Sequence, residues 1–329
     1  MRGLGVEADI AQRDRIAPKR VLLWHVHGSY TTALVAGHHT YYIPVLPGRG
    51  PDGRGRARTW NWPLNAIEVG PDEARNLDLD VVILQRPQEL ESLATTWLGR
   101  KPGRDVPTIY LEHNAPEGRI EEMRHPAADR DDLTIVHVTN FNKLFWDCGT
   151  TRTRVVEHGI LDPGYRYTGE LPRAAVAIND ALRRGRVTGT DLLPRFAAEL
   201  PLDIFGIGAS ALGGIEDPPQ ARLHAEMPLR RAYLHPMRWT SLGLALIEAM
   251  HLGMPVVAFA TTEAHEAVPP GCGVVSTDVE RLCAALRAYR DDAASARADG
   301  LRARAYALER YGLARFLRNW DAIIDDATS

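Results

Sequence analysis

The feature that most constrains this chain is a repeated alternation. Short, wholly apolar runs are separated by amphipathic or polar stretches of helical length. In the first half the runs are Arg20–Val26 (RVLLWHV), Val81–Leu84 (VVIL), Thr108–Leu111 (TIYL), Thr134–Val138 (TIVHV) and Arg154–Val156, with Phe141–Cys148 of helical character among them. In the second half they are Ala174–Ile178, Leu202–Phe205, Ala232–Leu234, Pro255–Ala258 and Val274-Val275, with helical segments at Gly189–Glu199, Leu242–Leu252 and Val279–Tyr289. Runs that do not alternate apolar with polar belong to strands buried on both faces, and such strands occur in parallel sheets covered by helices on each side. Two series of this kind in 329 residues predict an α/β protein of two doubly wound domains. The Pro- and Gly-containing stretch Leu161–Arg173 (LDPGYRYTGELPR) is the expected linker. The expected divisions are a flexible arm over 1–19, a first domain over 20–165, a second over 172–310, and a helix over 311–329 packing back across the domains. Gly48–Trp62, rich in Gly, Pro and Arg, reads as an exposed loop.

Charge narrows the partners. With 39 basic and 42 acidic side chains the net charge is −3, so no long-range attraction to nucleic acid or an anionic membrane is expected. Any basic residue that matters acts locally. The three cysteines are scattered and lack metal-ligand spacing. Residues 1–19 carry charges and no apolar core of a secretory signal, and no run approaches the length of a membrane span. These features lead to a cytoplasmic expectation, with peripheral contact to a membrane-borne acceptor left open.

The most informative stretch is Tyr233–Phe259, YLHPMRWTSLGLALIEAMHLGMPVVAF, which reads as strand, loop, helix, glycine turn and strand. Thr240 or Ser241 is the expected N-cap, Gly253 the helix stop, with Pro255 beyond it. A helix that starts just after a parallel strand presents unpaired first-turn N–H groups, and with the positive end of its dipole these suit a diphosphate. Gly243 has no side chain to obstruct approach. Glu248 falls about two turns into the expected helix, roughly 10 Å along its axis. A carboxylate there is placed to accept from both hydroxyls of a ribose joined to that diphosphate.

LHPMRWTSLGLALIEAMHLGMPVV resembles the donor-binding signature of retaining glycosyltransferases of family 4, which have the GT-B fold. The resemblance extends from about Val21 to about Tyr311. It implies two doubly wound Rossmann-like domains facing a central cleft, with a nucleoside-diphosphate sugar held by the C-terminal one. The family's ribose-binding Glu falls on Glu248. Its first Glu, directed at the donor sugar, is Thr240 here, and the neighbouring Gly is Ser241. The negative charge at that position is gone. Thr151–Asp162 (TRTRVVEHGILD) is similar to the strand leading to the family's linker, and Ala177–Phe196 to the loop carrying its phosphate-binding cations. Arg183, Arg184 and Arg186 are available there, and their guanidinium forks match phosphate oxygens; Arg184 and Arg186 are preferred.

The resemblance further implies a catalytic role for His113, at the end of the strand in PTIYLEHNAP, and a phosphate-proximal role for Gly28. The donor diphosphate is thus assigned to Arg184, Arg186, Thr240, Ser241, Leu242, Gly243 and Gly28. His27, Asn114, Arg238 and Glu266 are candidates for sugar or acceptor contact. His25 and His27 are expected on one face of the first strand. Asp78-Leu79-Asp80 has the form of a metal-binding Asp-x-Asp but leads into a strand, and Glu263–Glu266 lacks the order of a zinc-binding motif. The expectation is a metal-independent glycosyltransferase without a cofactor, using a nucleotide-sugar with uridine as the default base, and an unidentified acceptor. Retention of configuration is implied by resemblance alone. The rival readings are a sugar-nucleotide epimerase on the same fold and a non-catalytic nucleotide-sugar-binding protein, the latter motivated by the lost first Glu.

Overall fold

A computed structural model describes residues 16–329. The arm expected over 1–19 lies mostly outside the described residues. The chain forms two compact units: one runs to Gly159 and includes Leu313–Ser329, and the other is Ile160–Gly312.

In the first unit, β1 (Arg20–Leu23), β2 (Thr40–Pro44), β3 (Ala66–Val69), β4 (Val81–Leu84), β5 (Thr108–Glu112), β6 (Thr134–His137) and β7 (Arg152–Val155) form one sheet in the order β3-β2-β1-β4-β5-β6-β7. All its strand pairings among the described residues are parallel. β4, β5 and β6 are buried along their whole length, which is why their sequences do not alternate. β2 and β3 escape the apolar-run reading because their burial is interrupted and they lie toward a sheet edge. The strand order reverses between β1 and β4. In such folds ligands bind beyond the carboxyl ends of the strands at this reversal.

The second unit repeats the plan. β8 (Leu171–Ala177), β9 (Leu202–Gly206), β10 (Ile215–Glu216), β11 (Arg230–His235), β12 (Val256–Phe259) and β13 (Gly273–Ser276) are ordered β10-β9-β8-β11-β12-β13, so the reversal lies between β8 and β11. The helix expected over Gly189–Glu199 is shorter. Residues 185–192 make two tight 3-10 turns, and only Leu193–Ala197 is α-helical. Gly189 interrupts the pattern at φ +71°, where an added Cβ would lie 2.0 Å from the Pro236 carbonyl oxygen.

The expected linker is docked rather than loose. Arg166 and Tyr167 amides both donate to the Leu252 carbonyl, and the buried Tyr167 hydroxyl donates to Arg231 O at 2.7 Å. The C-terminal region divides between the units. The helix Ala293–Arg310 remains in the second, where Gly300 packs so tightly that a Cβ would meet the Gly253 carbonyl at 2.0 Å. The helix Leu313–Thr328 belongs to the first unit and buries Phe316, Leu317, Trp320, Asp321 and Ile324. Trp320 Nε1 donates to the Tyr30 hydroxyl at 2.9 Å, and Phe316 packs edge-on against the same ring.

His38, His39 and Asp321 cluster at this helix, their ligand-type atoms within 4.8 Å of one another. Lys19 N–H donates to His39 Nδ1, so the proton of the neutral ring sits on Nε2, 3.2 Å from Asp321 Oδ1. His39 therefore has no lone pair for a metal, and the cluster is a buried polar anchor for the helix. No described helix is long and apolar enough to cross a membrane.

Candidate functional site

In the second unit the candidate site is built where β8 and β11 end. The helix after β11 starts at Leu244 with Gly243 as N-cap, and no side chain caps it. This corrects the expectation that Thr240 or Ser241 caps the helix. Gly243 lies against the His235 ring, where an added Cβ would be 2.6 Å from Cε1, and residues 240–242 run irregularly before it with Ser241 and Leu242 buried. The reason for glycine at 243 is thus contact with His235. Among the described residues, the amides of Leu242, Gly243, Leu244 and Ala245 donate no hydrogen bond. The far end of the helix follows expectation: Gly253 is left-handed at φ +88°, its amide donates to Met250 O, and the Met254 amide donates to Ala249 O.

Glu248 lies about 7 Å beyond the N-cap, a little over one turn rather than two. It is 5% exposed. Its carboxylate makes no hydrogen bond among the described residues, and its polar neighbour is His224, whose Nε2 is 3.5 Å from Oε2. His224 also contacts Gln220 Nε2 at 2.6 Å. A buried carboxylate without donors is costly, and buried polar groups normally have partners. His235, buried on the neighbouring strand end, is lowered to about 4 by burial and is neutral near pH 7.

The loop 178–191 after β8 supplies the cations. Arg183 is exposed and paired with Asp180, and Arg184 is half-buried. Arg186 is 78% exposed and reaches Asp191 at 3.1 Å. Arg238, beyond β11, is held more firmly: its two terminal nitrogens donate to the two Asp191 oxygens at 2.6 and 3.0 Å and to Arg186 O. Guanidinium pairing holds Asp191 below the usual carboxylate range. The loop and the segment 236–239 are therefore one structure, tied by Arg238 N to Val187 O at 2.8 Å. Glu266 differs from expectation in its surroundings. It is exposed beside His265 on the short helix Ala264–Ala267, and the buried acid of that segment is Glu263.

In the first unit, His27 and His25 lie beyond β1, which ends at Leu23, so they do not share a strand face. His25 Nδ1 bonds Gly55 O at 2.9 Å and its ring contacts Trp62; the His27 ring packs on His113, centroids 4.2 Å apart. His27 is the N-cap of the helix Gly28–Val35 without a side-chain capping bond. Burial, the nearby Arg54 charge and His25 lower it to about 4.

His113 follows β5 and is fixed from below. Gln85 Nε2 donates to Trp24 O at 2.6 Å, which leaves Gln85 Oε1 facing His113 Nε2 at 3.0 Å. His113 thus carries its proton on Nε2, and Nδ1 is its acceptor. Burial foremost, then His27 and His158, hold His113 well below 6.5, so it is neutral at physiological pH. Behind it, the buried Glu112 accepts from the Asn114 amide at 2.6 Å and from His125 Nε2 at 3.1 Å, while Asn114 O accepts from Trp146 Nε1. His158, buried beside Tyr30, has both ring nitrogens without partners, and burial lowers it to about 3. Gln85, Glu112, His158 and His224 were not singled out in the sequence. Gln85 and Glu112 carry no motif, and His158 and His224 become visible only through their contacts. The Asp78 and Asp80 carboxylates both pair with Arg20.

Comparison with known structures places this geometry. Sucrose-phosphate synthase from Thermosynechococcus elongatus superposes with a TM-score of 0.65 at 13% identity, over 94% of this chain and 97% of that one. Anabaena HepE, solved in complex with UDP and with UDP-glucose, gives 0.68 at 13% identity over 94% and 100%. The chain has the GT-B fold. A glycosyltransferase from Rickettsia africae ESF-5 shares that GT-B architecture, at 0.68, 13% identity and coverage of 94% and 98%. Within the GT-B chain, residues 209–292 match the family model described as Glycosyl transferases group 1, a stretch that includes Thr240–Gly243 and Glu248. No curated protein sequence matches the chain.

Proposed function

We propose that this protein is a metal-independent glycosyltransferase that takes a sugar from a nucleoside-diphosphate sugar, with uridine as the base, and retains its anomeric configuration. The observation that carries the reading is Glu248: a buried carboxylate without a hydrogen bond among the described residues, little more than one turn beyond unpaired helix amides. A ribose diol supplies the missing donors, and the amides and nearby guanidinium groups suit the diphosphate attached to it. The UDP and UDP-glucose complexes of Anabaena HepE, on the same fold, support uridine as the base.

In this reading Leu242, Gly243 and the following amides hold the diphosphate, with Arg184 and Arg186 neutralising the charge that grows on it as the glycosidic bond breaks. Thr240 and Ser241 offer hydroxyls at the same end, and the resemblance assigns Gly28 to the donor phosphates. His113, neutral with Nδ1 as acceptor, receives a hydrogen bond from a donor-sugar hydroxyl and orients the reacting carbon. His27, Asn114, Arg238 and Glu266 are assigned to sugar or acceptor contact. Asn114 does this through its exposed side chain, because its backbone is committed to Glu112, Asn142 and Trp146. The test is calorimetric titration with UDP, GDP and ADP, followed by product analysis with the sugar-nucleotide that binds. Selective UDP binding and transfer are expected. Binding of none of the three would overturn the assignment, and an epimerised sugar-nucleotide without transfer would establish the epimerase reading instead.

A further inference from the structure

The loop Gly48–Trp62, expected from sequence to be exposed, is a built structure over the end of β1. Arg49 forks Glu68 at 2.8 and 3.0 Å, and Glu68 also accepts the Arg56 amide at 2.8 Å. Arg56 donates to the carbonyls of Trp62, Pro63 and Ala66. Trp62 is buried, its Nε1 donating to Thr32 Oγ1. These residues account for the shape of the loop.

Arg54 and Trp60 are left with no such task. Among the described residues Arg54 makes no ion pair, and its guanidinium donates only to Val26 O at 3.2 Å, which anchors the cation beside His27. Five N–H donors on a guanidinium leave most of its fork open. Its charge helps to lower both His25 and His27, after burial. Trp60 is half-buried, its Nε1 donates no hydrogen bond among the described residues, and that atom is 3.4 Å from where a Cβ on Gly28 would lie. His25 gives its Nδ1 proton to Gly55 O and keeps Nε2 as an acceptor, 3.8 Å from the same point. A cation, an indole N–H and a neutral acceptor nitrogen therefore converge on the start of the helix Gly28–Val35.

We propose that Arg54, Trp60 and His25 form an acceptor subsite selective for a sugar-sized ring that bears an oxyanion, either phosphate or carboxylate. Arg54 takes the oxyanion, the Trp60 Nε1–H donates to one ring hydroxyl and His25 Nε2 accepts from another. This rests on the glycosyltransferase reading and adds to it the chemical class of the acceptor.

The test titrates the full chain at low salt with glucose 6-phosphate, glucuronate and glucose, without nucleotide. At least one of the two anionic sugars is expected to bind about tenfold or more tightly than glucose, and the pair separates phosphate from carboxylate. Arg54→Gln is expected to erase the preference, Arg54→Lys to keep part of it, and Trp60→Ala to weaken neutral and anionic sugars alike. Equal binding of all three sugars, no binding of either anionic sugar, or a preference that survives Arg54→Gln would overturn the proposal. So would a matching loss of UDP affinity in Arg54→Gln, which would assign the cation to the donor. Because the sugar titrations contain no nucleotide, a failure to bind UDP would strike the donor reading while these outcomes stay readable.

Discussion

Replacing Glu248 by Gln is predicted to move stability and affinity in opposite directions. The carboxylate is 5% exposed and forms no hydrogen bond among the described residues, so its ionised form pays for burial without donors. An amide of the same shape removes that charge. The ligand-free protein is expected to gain about 1 kcal/mol, which raises Tm by about 2–4 °C for a domain of this size. Hydrogen bonds to a charged acceptor contribute about 1.5–3 kcal/mol each. Losing the charge opposite two ribose hydroxyls, with one neutral acceptor kept, is expected to weaken UDP binding about tenfold or more. Calorimetric titration gives the affinity, and thermal melting with and without UDP gives both effects on one sample. If Glu248 serves only as the partner of a charged His224, the substitution lowers Tm and leaves UDP affinity unchanged. That outcome would refute the reasoning.

His113→Ala is expected to leave UDP affinity intact and lower turnover about tenfold or more, for loss of one oriented hydrogen bond. Because the native imidazole is neutral, the wild-type rate is expected to show no inflection from His113 between pH 6 and 8; unimpaired turnover in the variant removes it from the reaction. Gly243→Ala places a methyl 2.6 Å from His235 Cε1 and is expected to cost about 1–3 kcal/mol, with His235→Ala relieving much of it; additive losses in the double variant would contradict this. The buried His137, His158 and His235 have folded values of about 3, 3 and 4 against an unfolded value near 6.5. Between those limits only the unfolded chain binds the protons, so stability is full above about pH 6.5 and falls as pH drops toward 4, by up to about 1.4 kcal/mol per pH unit for each group. Chemical denaturation at pH 7.5 and 5 reads this slope, His158→Leu should flatten it, and a pH-independent stability would exclude it.

The sheets were legible because burial on both faces writes itself into sequence as unbroken apolar runs, as in VVIL of β4 and VVAF of β12. β10, only two residues long, leaves no such mark. The helix Leu244–Leu252 was legible through its glycine stop, but its start lies two residues later than the sequence suggests. Ser and Thr are favoured N-caps locally, whereas here contact with His235 makes Gly243 the cap. The positions of Glu248 and His113 followed from resemblance. The surroundings that give them meaning did not: the absent donors around Glu248, and the Trp24–Gln85–His113 chain that fixes a tautomer, join residues far apart in sequence. For the same reason Trp60 and Trp62 looked alike, though only Trp62 is buried and bonded to Thr32.

A crystal structure of the protein with UDP tests the central claim most directly. The account predicts both ribose hydroxyls within about 2.6–3.2 Å of the Glu248 carboxylate and diphosphate oxygens on the amides of residues 242–245. Nucleotide bound elsewhere, with Glu248 still facing only His224, would contradict it.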